Sequence, residues 1–275
     1  MNVGFGTVVY KSAMEYCDEF IQSLNEQSYK DFQLVVINDD LEYQNLLFFK
    51  ESIKVPVNIY TPKSEHNIPY LRVDLLIYAK QIGIDLLIIG DFDDEHDSNR
   101  VKLTVEQYDS NYAFYYNDIV YFDETPYFNH LPDETNSIEM LLQKNYLGMS
   151  NTAIDLRKLS FEYLESLKKG KTNIFDWYLY SKLLIDGYVG KKVSGTNTKY
   201  RIHGQNIIGQ QRISEAQIRK EISVKLEHYE FLKDLDLRFA RLIEQYKLLQ
   251  DHDEEIELYR KRDNNYWWGY IQVEE

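Results

Sequence analysis

Residues 86–101 read LLIIGDFDDEHDSNRV, an apolar run that passes without a break into a dense acidic segment. The apolar or small residues at its start are typical of a short strand buried inside a parallel sheet. Asp91, Asp93 and Asp94 follow at once, and carboxylates this close repel one another. The segment therefore predicts a strand that carries acidic side chains to the edge of a sheet, and it raises the question of what they hold.

The sequence before this segment alternates between strand-like and helix-like patterns. The predicted strands cover residues 3–10, 31–40, 55–60 and 85–91, while one predicted helix begins at a Ser12–Glu15 capping box and another covers residues 69–83. Such alternation predicts an open, mostly parallel α/β sheet flanked by helices. Ligands bind these sheets at the carboxyl ends of the strands, so we expect Tyr10, Asp39 and Asp91 to lie along one edge.

Beyond residue 110 the pattern changes. It predicts a β segment over 111–123, helices near 155–168 and 175–187, a strand and loop over 188–206, and amphipathic helices from 214 to about 262. An aromatic segment, YWWGYI, follows at residues 266–271. We expect the amphipathic helices to pack on the main domain or to form a homodimer. Peripheral membrane contact is the less favoured alternative, because the acidic end of the chain disfavours anionic lipid.

The composition excludes several classes of protein. The 275 residues carry a formal net charge of −14, which argues against general nucleic-acid binding. Cys17 is the single cysteine, so no intramolecular disulfide forms and a reducing compartment is expected. The N-terminus lacks the features of a signal peptide, and no run reaches the roughly 20 apolar residues of a membrane span. We therefore expect a cytoplasmic protein, with contact at the inner face of the membrane as the alternative.

Several known types of site place acidic residues in a pattern like this one. An EF-hand needs Gly at the sixth loop position and Glu at the twelfth, and His96 and Lys102 stand there instead. A haloacid-dehalogenase-type phosphatase needs Thr where this chain has Glu95. The D-x-D motif of a sugar-nucleotide-dependent glycosyltransferase fits Asp91 and Asp93, whose hard oxygen ligands suit Mg²⁺ or Mn²⁺. A solvated acidic turn is the plain alternative.

Five segments, in order along the chain, resemble the family-2 glycosyltransferases, which have the GT-A fold. The segments are TVVYKSAMEYCDEFIQSLNEQSYKDFQLVVINDD (7–40), YLRVDLLIYAKQIGIDLLIIGDFDDEH (70–96), NYLGMSNTAIDLRKL (145–159), FDWYLYSKLLIDGY (175–188) and KYRIHGQN (199–206). The resemblance implies a GT-A catalytic domain over residues 1–209. Its nucleotide-binding half would cover about 1–100 and its acceptor half about 101–209, leaving a helical C-terminal extension over 210–275.

The resemblance implies roles only where residues match the family's pattern. The side chains that it places at the nucleotide are Thr7, Tyr10, Asp39, Arg72 and Asp91. Asp39 would hydrogen-bond to the base of the nucleotide, which in the family is often uracil. Asp93 would hold the divalent metal, Mn²⁺ or Mg²⁺, together with Asp91, and His203 would approach the metal or the diphosphate. Asp176 would be the general base.

The chain also departs from the family's pattern. Asp40 replaces the Gly of a D-D-G-S turn, Val73 replaces an Asn, and Phe175 replaces the Glu that usually precedes the base. Each matched residue also has an ordinary explanation: Asp176 would be favourable at a helix N-terminus in any protein, and Arg72 could pair with a surface acid. The case for function depends on the segments occurring together.

The sequence therefore predicts a metal-dependent, inverting glycosyltransferase that moves a sugar from a nucleotide donor, with a UDP-sugar favoured, to a glycan or lipid-linked acceptor in surface polysaccharide synthesis. A sugar-nucleotide nucleotidyltransferase is one alternative, although the glycines of GFGTVVYK (4–11) precede the strand end instead of forming a phosphate loop. A non-catalytic sugar-nucleotide-binding or assembly subunit is the other. Asp93 and Asp176 count against it, because a degenerate enzyme is free to lose them.

Overall fold

The structure is a computed structural model that describes residues 1–63, 67–172, 174–202, 214–251, 259–260 and 266–274. Its first half alternates strands and helices. The elements are β1 (Val3–Val9), α1 (Cys17–Asn25), β2 (Gln33–Asn38), α2 (Tyr43–Ser52), β3 (Val57–Tyr60), α3 (Ile68–Gln81) and β4 (Leu86–Ile89). The four strands are all parallel in the order β3-β2-β1-β4. The predicted open α/β sheet flanked by helices is confirmed.

The second half extends the same sheet with strands of mixed direction. Its elements are β5 (Glu95–His96), α4 (Arg100–Glu106), β6 (Phe114–Val120), β7 (Glu134–Thr135), β8 (Thr152–Asp155), α5 (Phe161–Ser166), α6 (Phe175–Ile185), β9 (Gly190–Lys199), α7 (Glu215–Leu232) and α8 (Leu237–Asp251). Strand β8 runs antiparallel to both β4 and β6, and β9 joins β6 in parallel. Because β8 reverses direction, β4 and β6 run the same way, and their carboxyl ends flank a common space.

Helices cover both faces of the sheet. Along β1, Phe5 and Val9 belong to an apolar cluster shared with α1 and α2, whereas Val8 belongs to a second cluster with α3. This alternation follows from the two-residue repeat of a strand. The second cluster continues without interruption into α6, α7 and α8. The C-terminal helices therefore pack their apolar faces on the main domain, through the cluster that also contains α3 and α6, in agreement with the first of the expected arrangements.

Two local predictions were wrong. The Ser12–Glu15 capping box does not start a helix: a 3₁₀ turn covers Lys11–Tyr16, α1 begins at Cys17, and neither helix has a side-chain cap. The helix expected near 155–168 is shortened to Phe161–Ser166. Before it, a 3₁₀ turn covers Leu156–Lys158 and follows directly on β8, a buried strand too short to show a period.

Among the helices that the structure describes, none is long and apolar enough to cross a bilayer.

Candidate functional site

A cleft of about 300 Å³ opens at the carboxyl end of β4. It is lined by Arg72 from α3, Asp91 from the end of β4, and Asp176 from the start of α6. Trp267 and Trp268, from the C-terminal aromatic segment, complete its wall. The cleft therefore brings together three of the residues that the sequence singled out, at the sheet edge where topology predicts a ligand.

Arg72 and Asp91 form an ion pair within this cleft. Asn67 caps α3 by accepting a hydrogen bond from the Tyr70 amide at 3.1 Å, which places Arg72 in the second turn. Burial raises the pKa of Asp91, and the Arg72 guanidinium limits that rise. Among the described residues, the second guanidinium nitrogen of Arg72, Nη1, is buried without a hydrogen-bond partner. It is a donor available to an anionic ligand.

The acidic segment continues behind this pair. The Tyr10 hydroxyl donates a hydrogen bond to the Asp93 carboxylate. Burial raises the pKa of Tyr10, and the charges of Asp93 and Asp91 raise it further. Asp94 accepts a hydrogen bond from the Arg201 amide at 2.8 Å, while its Oδ2 has no partner among the described residues. Burial, followed by the charges of Asp93 and Asp91, raises the pKa of Asp94 well above its usual range. The segment thus places several carboxylate oxygens close together, and the buried Oδ2 of Asp94 has no hydrogen-bond partner among the described residues.

Two arginines that the sequence reasoning did not assign hold this segment in place. Arg201 donates from Nε to the Asp93 carbonyl at 2.8 Å, and its guanidinium lies 4.2 Å from the ring centroids of Tyr16 and Phe122. Arg100 is fully buried and donates to the Ile89 carbonyl at 2.6 Å. Their positive charge offsets part of the carboxylate repulsion. Arg201 lies inside the quoted segment KYRIHGQN, so its position carried a signal that pointed to the site.

Asp176 lies in the first turn of α6, where the Trp177 amide donates to its Oδ1 at 2.9 Å. Asn145 reaches its Oδ2 at 3.5 Å. Burial raises the pKa of Asp176 to about 6, and the nearby charge of Asp91 adds to the effect. A carboxylate with a pKa near neutrality, inside a cleft, is suited to accept a proton. Phe175, which replaces the expected Glu, is itself buried.

The remaining predicted residues lie in different surroundings. Asp39 directly follows β2, and its amide donates to the Val9 carbonyl at 3.0 Å, so it lies at the same sheet edge as the cleft. Thr7 lies within β1, two residues before the strand ends, and its side chain is fully buried. Its position therefore differs from the expected strand end. His203 lies outside the described residues.

The donor atoms of the acidic segment fit a divalent cation that completes its shell with a substrate. Among the described residues, no three His, Cys, Asp or Glu side chains are grouped to hold a metal by themselves. Mg²⁺ sites in phosphate-transfer enzymes use one or two carboxylates and take their other ligands from water and substrate phosphates. Asp93 and Asp91 supply that small number of hard oxygen ligands, which also suit Mn²⁺.

Solved structures share this architecture. S. aureus TarS 1-349 matches with a TM-score of 0.56 and 11% identity, covering 93% of this chain and 92% of that chain. The same TarS fragment in complex with UDP-GlcNAc gives a TM-score of 0.57 and 13% identity, over 95% and 76% of the two chains. Mannosyltransferase PcManGT from Pyrobaculum calidifontis, in complex with GDP-Man and Mn²⁺, matches with a TM-score of 0.55 and 12% identity, covering 91% of this chain and 70% of that chain.

These likenesses establish the fold as that of the GT-A glycosyltransferases, as the sequence predicted. No protein-family model and no curated protein sequence matches the chain. At identities this low, the chemistry has to be argued from the residues in the cleft.

Proposed function

We propose that this protein is a metal-dependent, inverting family-2 glycosyltransferase. It would take the sugar from a nucleotide donor, with a UDP-sugar favoured, and pass it to a hydroxyl of a glycan or lipid-linked acceptor. The observation that carries the proposal is the cleft that contains Arg72, Asp91 and Asp176 together. Solved relatives in fold that contain UDP-GlcNAc, or GDP-Man with Mn²⁺, support a nucleotide-sugar donor.

The donor's diphosphate would lie against the acidic segment and Arg72. The buried, unpartnered Nη1 of Arg72 would donate to a phosphate oxygen, and Asp39 and Tyr10, at the neighbouring strand ends, would lie towards the nucleoside. Asp93 and Asp91 would hold the divalent ion, which when bound supplies positive charge at the departing diphosphate.

Asp176 would act on the acceptor. It takes the proton from the acceptor hydroxyl while that oxygen forms a bond to the anomeric carbon of the donor sugar. The bond from the anomeric carbon to the phosphate oxygen breaks on the opposite face, so configuration inverts and the nucleoside diphosphate leaves with the electron pair. Asn145 and the Trp177 amide, which both contact this carboxylate, hold it in position.

The test is a thermal-shift screen of UDP, GDP, CDP and dTDP, each with Mn²⁺, Mg²⁺ or EDTA. A ligand that binds only the folded state raises the melting temperature by mass action. We expect one nucleotide, UDP first, to raise it in the presence of metal, and we expect Asp93→Ala to abolish that rise.

The matched control is Asp31→Asn, which removes an exposed carboxylate just before β2, at the opposite edge of the sheet. It should keep the full metal-dependent rise. The proposal fails if no nucleotide stabilises the wild type, or if Asp93→Ala responds as Asp31→Asn does. Release of pyrophosphate from a nucleoside triphosphate and a sugar phosphate would instead identify a nucleotidyltransferase.

A further inference from the structure

The aromatic segment near the C-terminus supplies one wall of the cleft. Trp267 and Trp268 both line it, as Asp176 does. This segment lies outside the five sequence segments that resemble family-2 glycosyltransferases, so that resemblance gives it no role. Its two tryptophans differ in burial, which suggests that one fixes the segment to the fold and the other is available to a ligand.

Trp267 is the anchor of the segment. Only 8% of its surface is exposed, and its indole nitrogen donates to the Tyr127 hydroxyl at 3.0 Å. Its carbonyl accepts from the Asn145 amide at 2.8 Å. A Cβ on Gly148 would come within 3.0 Å of the Trp267 ring, so the absence of a side chain there lets the ring pack closely. Asn145 also reaches Asp176, which ties the segment to the base.

Trp268 is the less buried of the two tryptophans. It is half-buried, and its backbone has a φ of 57°, a left-handed conformation that is strained for a bulky residue. Surrounding contacts have to maintain such a conformation. Trp267 holds it on one side, and on the other the Ile271 amide donates to the buried Glu221 at 2.9 Å. The fold thus keeps a strained backbone that presents an indole ring at the cleft.

The rest of the cleft wall is largely apolar around this ring. Its charged members are Arg72, Asp91 and Asp176, and the first two lie on the donor side. A ligand in the cleft would meet apolar and aromatic groups, among them Ile119, Tyr200 and Trp268, together with the Asp176 carboxylate. That combination suits a neutral ring with one apolar face and hydroxyl groups at its edge.

We propose that Trp268 is a stacking platform for a pyranose ring of the acceptor. This inference rests on the proposed function, because it is the role of Asp176 as base that places the acceptor next to it. The C–H face of the sugar packs on the indole ring, and its edge presents a hydroxyl to Asp176. The acceptor class is then a glycan or glycolipid that ends in a pyranose, and a linear polyol is excluded.

Fluorine NMR of protein labelled with 5-fluorotryptophan tests this directly, because the chain has 3 tryptophans and Trp268→Phe assigns the resonance. The probes are methyl β-glucopyranoside, methyl β-galactopyranoside, methyl α-mannopyranoside and methyl N-acetyl-β-glucosaminide, each with and without UDP and Mn²⁺. We expect at least one to shift the Trp268 resonance saturably and by more than that of Trp267, which also lines the cleft, while the buried Trp177 stays unmoved. Ribitol, which has hydroxyls but no ring face, should leave all three in place.

Substitution tests whether the ring itself carries the interaction. Binding of the active pyranoside, followed by saturation-transfer NMR, should weaken about tenfold in Trp268→Leu and much less in Trp268→Phe. Tyr43→Leu, at an exposed aromatic on α2, is the control for loss of an aromatic residue. The proposal is overturned if no pyranoside moves the Trp268 resonance, if ribitol moves it equally, or if Trp268→Leu binds as tightly as wild type.

The two proposals can fail separately. Nucleotide thermal shifts measured on the same samples report on the donor site. Absence of those shifts, with the pyranoside response intact, removes the glycosyltransferase proposal and leaves a sugar-binding cleft. Nucleotide binding without any pyranoside response keeps the donor site and removes the platform.

Discussion

Asp176 is subject to two opposed requirements. The proposed role as a base requires it to be ionised, but burial and the neighbouring Asp91 disfavour its charge and raise its pKa to about 6. The helix N-terminus, through the Trp177 amide, favours the charged form. The balance leaves a carboxylate that is ionised at neutral pH and is still basic enough to accept a proton.

This balance predicts the pH dependence of catalysis. Sugar-nucleotide turnover should rise with pH along an acid limb whose midpoint is near 6, because only the ionised form accepts a proton. Asp176→Asn should lower the rate roughly 10²- to 10⁴-fold and remove the limb. Initial rates of nucleoside diphosphate release across the limb measure both effects. An unchanged limb in Asp176→Asn would assign the base elsewhere.

The same raised pKa has a cost in stability that can be measured without substrate. The folded state binds the proton more tightly than the unfolded chain, whose aspartate pKa is about 3.9, so stability falls as pH rises through the folded value near 6. Asn cannot ionise. At a pH above the folded pKa of about 6, the melting temperature of Asp176→Asn should therefore exceed that of wild type. The difference should vanish at a pH below the aspartate pKa of the unfolded chain, about 3.9.

At the scale of elements, the junction between β4 and the acidic segment depends on one close approach. The Gly90 amide donates to the Gly6 carbonyl at 3.0 Å. A Cβ on Gly90 would lie 2.4 Å from Nε2 of the buried His96 and 2.6 Å from the Phe5 ring. Because both neighbours are buried, neither has room to move, and a side chain here would displace the start of the segment that carries Asp91.

Gly90→Ala should therefore lower the free energy of unfolding by about 1–3 kcal/mol through overpacking, and it should also weaken metal-dependent nucleotide binding. Chemical denaturation and the thermal-shift response measure the two effects. Gly83→Ala is the matched control: its φ of 82° makes Ala unfavourable, but nothing lies within 4 Å of the added Cβ. It should lose stability and keep the nucleotide response. Loss of that response in both variants would show a general effect of destabilisation.

These elements also show how far the sequence can predict the fold and the site. Strands β1, β2 and β4 show as runs of mostly apolar or small residues, and topology then places Asp91 at the ligand-binding edge. Arg201 supports Asp93 and Asp94 from more than a hundred residues away; the segment KYRIHGQN associates it with the site, but no local pattern predicts which residues it contacts. Strand β8 is four residues long, too short for its period to be recognised. Long-range pairing and short elements are therefore what the sequence pattern misses.

At the scale of the whole molecule, a buried polar cluster links the C-terminal helices to the aromatic segment. Lys225 on α7 donates to the Ile271 carbonyl, and Glu221 on the same helix accepts from the Ile271 amide. The Lys225 ammonium lies 3.4 Å from the Glu221 carboxylate. The Tyr246 hydroxyl on α8 lies 2.8 Å from the same carbonyl. Burial lowers the pKa of Lys225 to about 8. Three residues of the two helices thus hold Ile271, which belongs to the segment that carries Trp268.

Removing one partner should loosen that segment. Lys225→Met leaves Glu221 buried without its counter-charge and should lower the free energy of unfolding by roughly 3–5 kcal/mol. Glu221→Gln with Lys225→Met removes both charges and keeps an acceptor for the Ile271 amide, so it should recover most of the loss. Denaturant unfolding measures stability, and the fluorine resonance of labelled Trp268 reports on the segment. If Lys225→Met leaves that resonance unchanged in the folded protein, the helices stabilise the chain without positioning the cleft wall.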